Sequence, residues 1–277
     1  MRERTLDLAA DYNNRALVPG HPAIIARWQA ESEAYRAEHS CELDISYGAK
    51  PRNRLDLFPG VAVSPHQPMV VFIHGGYWKS LDKRIFSHIA RGPNRHGLDV
   101  AIVGYSLCPE VTICDIIAEM RQCCLFLWGC YRRKLLVTGH SAGGHLAACL
   151  AATQWEDYGQ PPDLVQAGLS ISGLFDLRPL IATPLNDDLG LSPAEALAAS
   201  PLAWPVKGRH EFDSWVGGAE SIEFRRQARS IAAAWRGIGW EAHYFEVAGA
   251  NHFTIADALS DPDHPMTMRV RQFAGIS

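Results

Sequence analysis

The chain has 277 residues, 47% of them hydrophobic and 20% charged, with a formal net charge of −4. It is long enough to bury one large core, and without a basic block it gives nucleic acid no footing. Longer apolar runs, such as Met69–Ile73, are strand length and far short of a membrane span.

Seven cysteines, an odd number, include the neighbours Cys123 and Cys124 and form no Cys-x-x-Cys. That usage fits free thiols in a reducing cytosol, and the spacing matches no zinc ligand set. The stretch Met1-Arg2-Glu3-Arg4-Thr5-Leu6-Asp7 has no apolar h-region, so it is not read as a secretory signal. Expected, then, is a cytoplasmic protein with a small-molecule substrate and no nucleic-acid or membrane partner. The sequence is compatible with a homodimer and does not give the oligomeric state.

Strand and helix patterns alternate along the chain without repeats or linkers. This argues for an α/β fold around a largely parallel sheet. Residues 22–39 read as an amphipathic helix with Ile24, Ile25, Trp28 and Tyr35 on or near one face. Residues 43–47 and 55–58 alternate like a hairpin at a sheet edge. The unbroken run Met69-Val70-Val71-Phe72-Ile73 reads as a strand buried on both faces, and it ends in His74-Gly75-Gly76-Tyr77-Trp78. A helix over 85–96 and a buried strand over 100–105 follow. A helix over 115–131 then carries Cys123, Cys124 and Cys130, expected to pack as small apolar residues.

The next stretch is the most informative. Leu135-Leu136-Val137-Thr138 runs into Gly139-His140-Ser141-Ala142-Gly143, and strong helix formers follow from Leu146 to Ala152. Strand, sharp turn and helix with a serine at the turn describe a nucleophile elbow. Chance supplies the bare Gly-x-Ser-x-Gly in roughly one chain in ten of this length, so its flanks and partners must carry the reading. A strand over 165–172 follows. Residues 174–211, interrupted by five prolines, read as a cap of short helices, one starting at Ser192 with proline at its first position. Beyond lie a strand over 212–216, a helix from Ser221 to about Arg236, a strand over 242–247 and a helix over 266–273.

Three polar residues stand directly after expected strands, in the chain order Ser141, Glu220, His252. This is the order of an α/β-hydrolase triad, and strand C-terminal ends form the ligand crevice of such sheets. A serine hydroxyl needs a base to take its proton. Imidazole can take it and return it to the leaving group, and a carboxylate orients the imidazole. The oxyanion needs donors, and the amides of Ala142, Gly75 and Gly76 stand in the expected loops.

His74-Gly75-Gly76-Tyr77-Trp78 and Gly139-His140-Ser141-Ala142-Gly143-Gly144-His145 together resemble the arylformamidase (kynurenine formamidase) and carboxylesterase branch of the α/β-hydrolases. Gly217-Gly218-Ala219-Glu220, Asn251-His252-Phe253 and the front stretch Ser46-Tyr47-Gly48 with Leu55-Asp56-Leu57-Phe58 are also similar to it. The resemblance covers roughly residues 45 to 275. It implies Ser141 as nucleophile, His252 as base and Gly75, Gly76 and Ala142 as oxyanion donors. Glu220 departs from the aspartate common in relatives. Asp176, just after a strand, is the second choice for the acid. Asp213 opens its strand and belongs at the wrong end of the sheet.

His74 reads as structural, shaping the oxyanion loop. His140 and His145 flank the serine, but elbow positions diverge and no acid is spaced to join them, so no metal is expected. Tyr77, Trp78, Tyr105 and Phe253 either line an aromatic pocket or pack half-buried. Trp204 and Trp215 cannot be placed. The expected whole is one α/β-hydrolase domain over 1–277 with a cap at 174–211 and no cofactor. It would cleave a small acyl ester or an aryl formamide of the N-formylkynurenine kind through an acyl-serine. A short-chain carboxylesterase or thioesterase is the alternative. A non-catalytic binding protein on the same fold is the third reading, and the presence of both serine and histidine weighs against it.

Overall fold

A computed structural model describes residues 7–61, 66–208 and 210–276. Residues 1–6, read above for a leader, lie outside that range.

The chain opens with two short helices, α1 (Leu8–Asp11) and α2 (Asn14–Leu17), capped by the side chains of Asp7 and Asn13. Neither is foreshadowed by periodicity, because each is a single turn. Helix α3 (His21–Glu38) follows, with Trp28 and Tyr35 buried. The sheet begins with β1 (Glu42–Ser46), β2 (Arg54–Phe58) and β3 (Met69–Ile73). Where one helix is expected over 85–96, the chain forms a 3₁₀ helix, Lys83–Ala90, and then the short α4 (Arg91–Arg95). Gly92 and Pro93 fall in the middle of that stretch, and both are poor helix-interior residues.

Next come β4 (Val100–Val103), α5 (Ile113–Tyr131), β5 (Leu135–His140) and α6 (Ala142–Ala151). Thr112 and Asp115 close a reciprocal capping box at the start of α5. Cys123 and Cys124 are buried on α5, but Cys130 is exposed, since it lies on the helix face turned to solvent. After β6 (Val165–Ile171), residues 178–203 form 3₁₀ turns and two short helices, α7 (Asn186–Leu189) and α8 (Pro193–Ala198), and the next strand begins at Glu211, inside the range read as a cap. Ser192 and Glu195 make the capping box of α8. The chain ends with β7 (Glu211–Gly217), α9 (Ile222–Gly237), β8 (Glu241–Val247) and α10 (Pro265–Phe273).

The eight strands form one sheet in the order β1-β2-β4-β3-β5-β6-β7-β8. β1 and β2 pair antiparallel with their neighbours, and the rest run parallel. Only β1 is an open edge of the hairpin. β2 lies between β1 and β4 and is buried from Leu55 to Phe58, so it does not alternate as an edge strand would. On β3, Val71 and Ile73 enter one apolar cluster and Val70 and Phe72 the other, which is why the run is unbroken. Helices α5, α6 and α9 cover the first face. Trp28 of α3 and Met266, Val270 and Phe273 of α10 pack on the second. Each large side chain buried this way contributes about 1.5–3 kcal/mol. The parallel register brings the C-terminal ends of β3, β5, β6, β7 and β8 to one edge.

Among the described residues, no helix is long and apolar enough to cross a membrane.

Candidate active site

Ser141 sits between β5 and α6 at φ 58° and ψ −119°, a conformation that non-glycine residues rarely adopt. The turn is held by neighbours. The Ser141 amide donates to the Ile171 carbonyl at 2.8 Å, and the His145 amide donates to the Ser141 carbonyl at 3.1 Å. The helix must start against β3. A Cβ at Gly143 would stand 1.9 Å from the Ile73 oxygen, so only glycine fits. The result aims Oγ away from the sheet at the positive end of α6.

His252 and Glu220 meet the serine there. The Ser141 hydroxyl is 3.0 Å from His252 Nε2, and His252 Nδ1–H donates to Glu220 Oε2 at 2.7 Å. All three side chains are buried. Glu220 Oε1 accepts the Gly217 amide at 2.7 Å and the Ser172 hydroxyl. The His252 loop is fixed by Asn251, whose Oδ1 accepts the amides of Phe253 and Thr254, both at 3.0 Å. The His252 ring lies between Phe224, 4.6 Å away, and His140, 4.8 Å away. Burial pulls His140 down to about 3, with the neighbouring His252 adding to the shift. His140 is therefore neutral and places no fixed charge beside His252.

The loop after β3 crosses in front of the serine. Gly75 packs so tightly that an added Cβ would lie 3.0 Å from the Ser141 Cβ. Gly76 has φ 111°, and its Cβ would meet the Ser80 oxygen at 2.1 Å. Among the described residues, the amides of Gly75, Gly76 and Ala142 donate to no protein acceptor. His74 Nδ1–H donates to the Gly75 carbonyl at 2.7 Å, and its ring stacks on Tyr105 at 4.3 Å. Burial pulls the His74 imidazole down to about 4, so it acts as a neutral brace.

A cavity of about 260 Å³ opens at Ser141 and His252. Tyr77 and Phe253 line it, as the sequence reading allows. Trp78 and Tyr105 do not. Trp78 is fully buried because its left-handed backbone, φ 57°, turns the indole inward to His145, 3.3 Å from Nε1. Tyr105 is fully buried with its hydroxyl donating to the His74 carbonyl at 2.9 Å. The ambiguous pair resolves as well: Trp204 is partly buried with its indole donating to the Ala198 carbonyl at 2.9 Å, and Trp215 stacks on Phe245.

Much of the wall comes from residues the sequence reading did not assign to the site. Tyr12, Asn14 and Arg15 come from the N-terminal turns and Ile25 and Trp28 from α3, while Thr183 to Leu185 come from the excursion after β6. The N-terminal turns are pinned. Tyr12 hydroxyl donates to Glu223 at 2.8 Å, and Tyr77 hydroxyl donates to the Tyr12 carbonyl at 2.6 Å. The buried face of α3, with Trp28 on it, was the one available signal. Nothing local tells which cavity that face covers.

The rival carboxylates are engaged elsewhere. Asp176 is paired with Arg178 through two contacts of 2.8 Å, which hold its carboxyl below the usual range. Asp213 is fully buried midway along β7 and accepts from Arg269 at 2.7 Å. His140 and His145 diverge: their Nε2 atoms reach the carbonyls of His252 and Ala199 respectively.

Residues 55–177 match the BD-FAE family model. The chain is 29% identical over 262 residues to the kynurenine formamidase of Danio rerio, covering 92% of this chain and 89% of that one. It is 30% identical over 243 residues to the kynurenine formamidase of Salmo salar, covering 85% and 82%. The crystal structure of a candidate thioesterase from a Silicibacter species superposes with TM-score 0.86 at 32% identity, covering 95% of this chain and 98% of that one. A thermostable carboxylesterase from a metagenomic library has the same fold, with TM-score 0.71 at 18% identity, covering 93% and 97%. The protein has the α/β-hydrolase fold and is a hydrolase. By identity sustained over most of both chains, it belongs to the kynurenine formamidase family.

Proposed function

We propose that the protein hydrolyses an aryl formamide of the N-formylkynurenine type, with Ser141, His252 and Glu220 as its triad. The observation that carries the reading is the hydrogen-bonded relay from Glu220 through His252 to Ser141, opening into an aromatic-walled cavity. Ser141 Oγ attacks the formyl carbon while His252 Nε2 takes its proton. The oxyanion forms against the amides of Gly75, Gly76 and Ala142. His252 then returns the proton to the aniline nitrogen as the C–N bond breaks. Water, activated by the same histidine, releases formate from Ser141.

The cavity supports the leaving group. Tyr77 and Phe253 present aromatic surface for an aryl ring, with Trp28 buried behind them. Among the described residues, its lining carries Arg15 and Lys79 and no carboxylate. Lys79 is paired with Asp188, which leaves Arg15 as the cation available to an anionic substrate group. A formyl group needs almost no acyl pocket.

The likeness to the candidate thioesterase favours a second reading, hydrolysis of short acyl esters or thioesters. We place the protein in the cytosol, which its seven unpaired cysteines support. The test compares kcat/KM on N-formylkynurenine and p-nitrophenyl acetate. The formamide is expected to be the better substrate; an inert formamide beside a fast ester overturns the assignment. An organophosphonate should label Ser141 and no other residue in the folded protein.

A further inference from the structure

β6 ends at Ile171, and the residue after it leaves the sheet abruptly. Ser172 has φ 52°, in the left-handed region where glycine and asparagine are at home and serine is not. It is fully buried, and its amide donates to the Trp215 carbonyl at 2.7 Å. This backbone turn carries the hydroxyl across to the turn after β7, where Oγ donates to Glu220 Oε1. The same oxygen accepts the Gly217 amide at 2.7 Å, and the other carboxylate oxygen accepts from His252 at 2.7 Å.

The geometry points to Ser172 as a positioning residue for the triad, an inference that rests on Glu220 being its acid. A glutamate has one more rotatable bond than the aspartate common in this place, so its carboxylate has a freedom that must be removed. The Gly217 amide alone fixes one oxygen and leaves the group free to pivot about that contact. A second donor on Oε1, approaching from β6, fixes the carboxylate plane and so the direction in which Oε2 faces His252. The uncommon backbone of Ser172 is what brings a hydroxyl to that spot. Glycine there would relax the backbone and supply no donor.

The experiment is a double-mutant cycle on the full chain, with kcat and KM measured for one good substrate. Ser172→Ala is expected to lower kcat roughly 10-fold, the scale of one hydrogen bond to a charged group, with KM within about twofold. Ser172→Gly, which eases φ while deleting the hydroxyl, should lower kcat to the same extent; it serves also if the alanine variant folds poorly. In a Glu220→Gln background, itself strongly impaired, removing the Ser172 hydroxyl should cost no more than about twofold further. An equal loss in both backgrounds, or a loss in KM rather than kcat, overturns the positioning role. Near-normal activity of Glu220→Gln alone instead overturns the assignment of the acid.

Discussion

The Nε2–H of His140 donates to the backbone carbonyl of His252 at 2.6 Å, so the residue before Ser141 holds the proposed base in place. The contact spans β5 and the loop after β8, two elements joined by no covalent path shorter than a hundred residues. Its role depends on His140 being neutral: the ring must offer one donor without putting a second positive charge 4.8 Å from His252. His140→Ala should therefore lower kcat about 10-fold or more by loosening His252, as misplacement of a catalytic group commonly does. KM should change less. Unchanged kcat in a variant of native melting temperature would show that the Asn251 turn alone suffices to hold His252.

The buried histidines also set an acid limit on stability. Burial pulls His88 and His140 down to about 3 and His74 and His145 to about 4. In the unfolded chain each would titrate near 6.5. Between those values the unfolded state binds more protons, so stability is whole above about pH 6.5 and falls as the pH drops toward the folded values. Each histidine contributes up to about 1.4 kcal/mol per pH unit over that window. His145 shows why: its Nε2–H donates to Ala199 and its Nδ1 faces the Trp78 N–H, so a second ring proton has no acceptor. Urea midpoints should decline steadily from pH 6.5 to pH 5. A flat profile there would sink the linkage.

Two glycines should be intolerant for different reasons. At Gly143 an added Cβ collides with the Ile73 oxygen at 1.9 Å, backbone against backbone, with nothing flexible to yield. Gly143→Ala should cost about 3 kcal/mol or more, seen as a loss of soluble protein or a large shift in urea midpoint. Gly76→Ala combines φ 111° with contact to the Ser80 oxygen and should act on the oxyanion loop. Its expected signature is a fall in kcat on the order of 100-fold, the scale of losing one oxyanion donor. Wild-type activity in Gly76→Ala would remove that loop from the oxyanion site.

The sheet and the relay were legible because each rests on local pattern. The run Met69–Ile73 needs two apolar faces, and β3 feeds two clusters. Ser141, Glu220 and His252 each stand just past a strand, and a parallel sheet brings such positions to one edge. What stayed hidden depends on contacts distant in sequence. Tyr12 is held by Glu223, 211 residues on, so no local signal marks the N-terminal turns as a cavity wall. Trp78 and Tyr105 look like pocket aromatics beside the oxyanion loop. One left-handed residue and one hydrogen bond to His74 send them into the core instead.

Arg15 offers the sharpest test of what the cavity accepts. It stands on α2, a single turn anchored through Tyr12 and capped by Asn13, and it lines the same cavity as Ser141. The other cation of the lining, Lys79, already has Asp188. A substrate carboxylate would therefore find its counter-charge at Arg15, a partly solvated contact worth about 1 kcal/mol. Arg15→Ala should lower kcat/KM for N-formylkynurenine about fivefold through KM and leave the neutral p-nitrophenyl acetate unchanged. Added salt should narrow the difference, since an exposed pair is screened. Equal losses on both substrates would mean that Arg15 holds the wall rather than the ligand, and no loss on either would remove it from recognition.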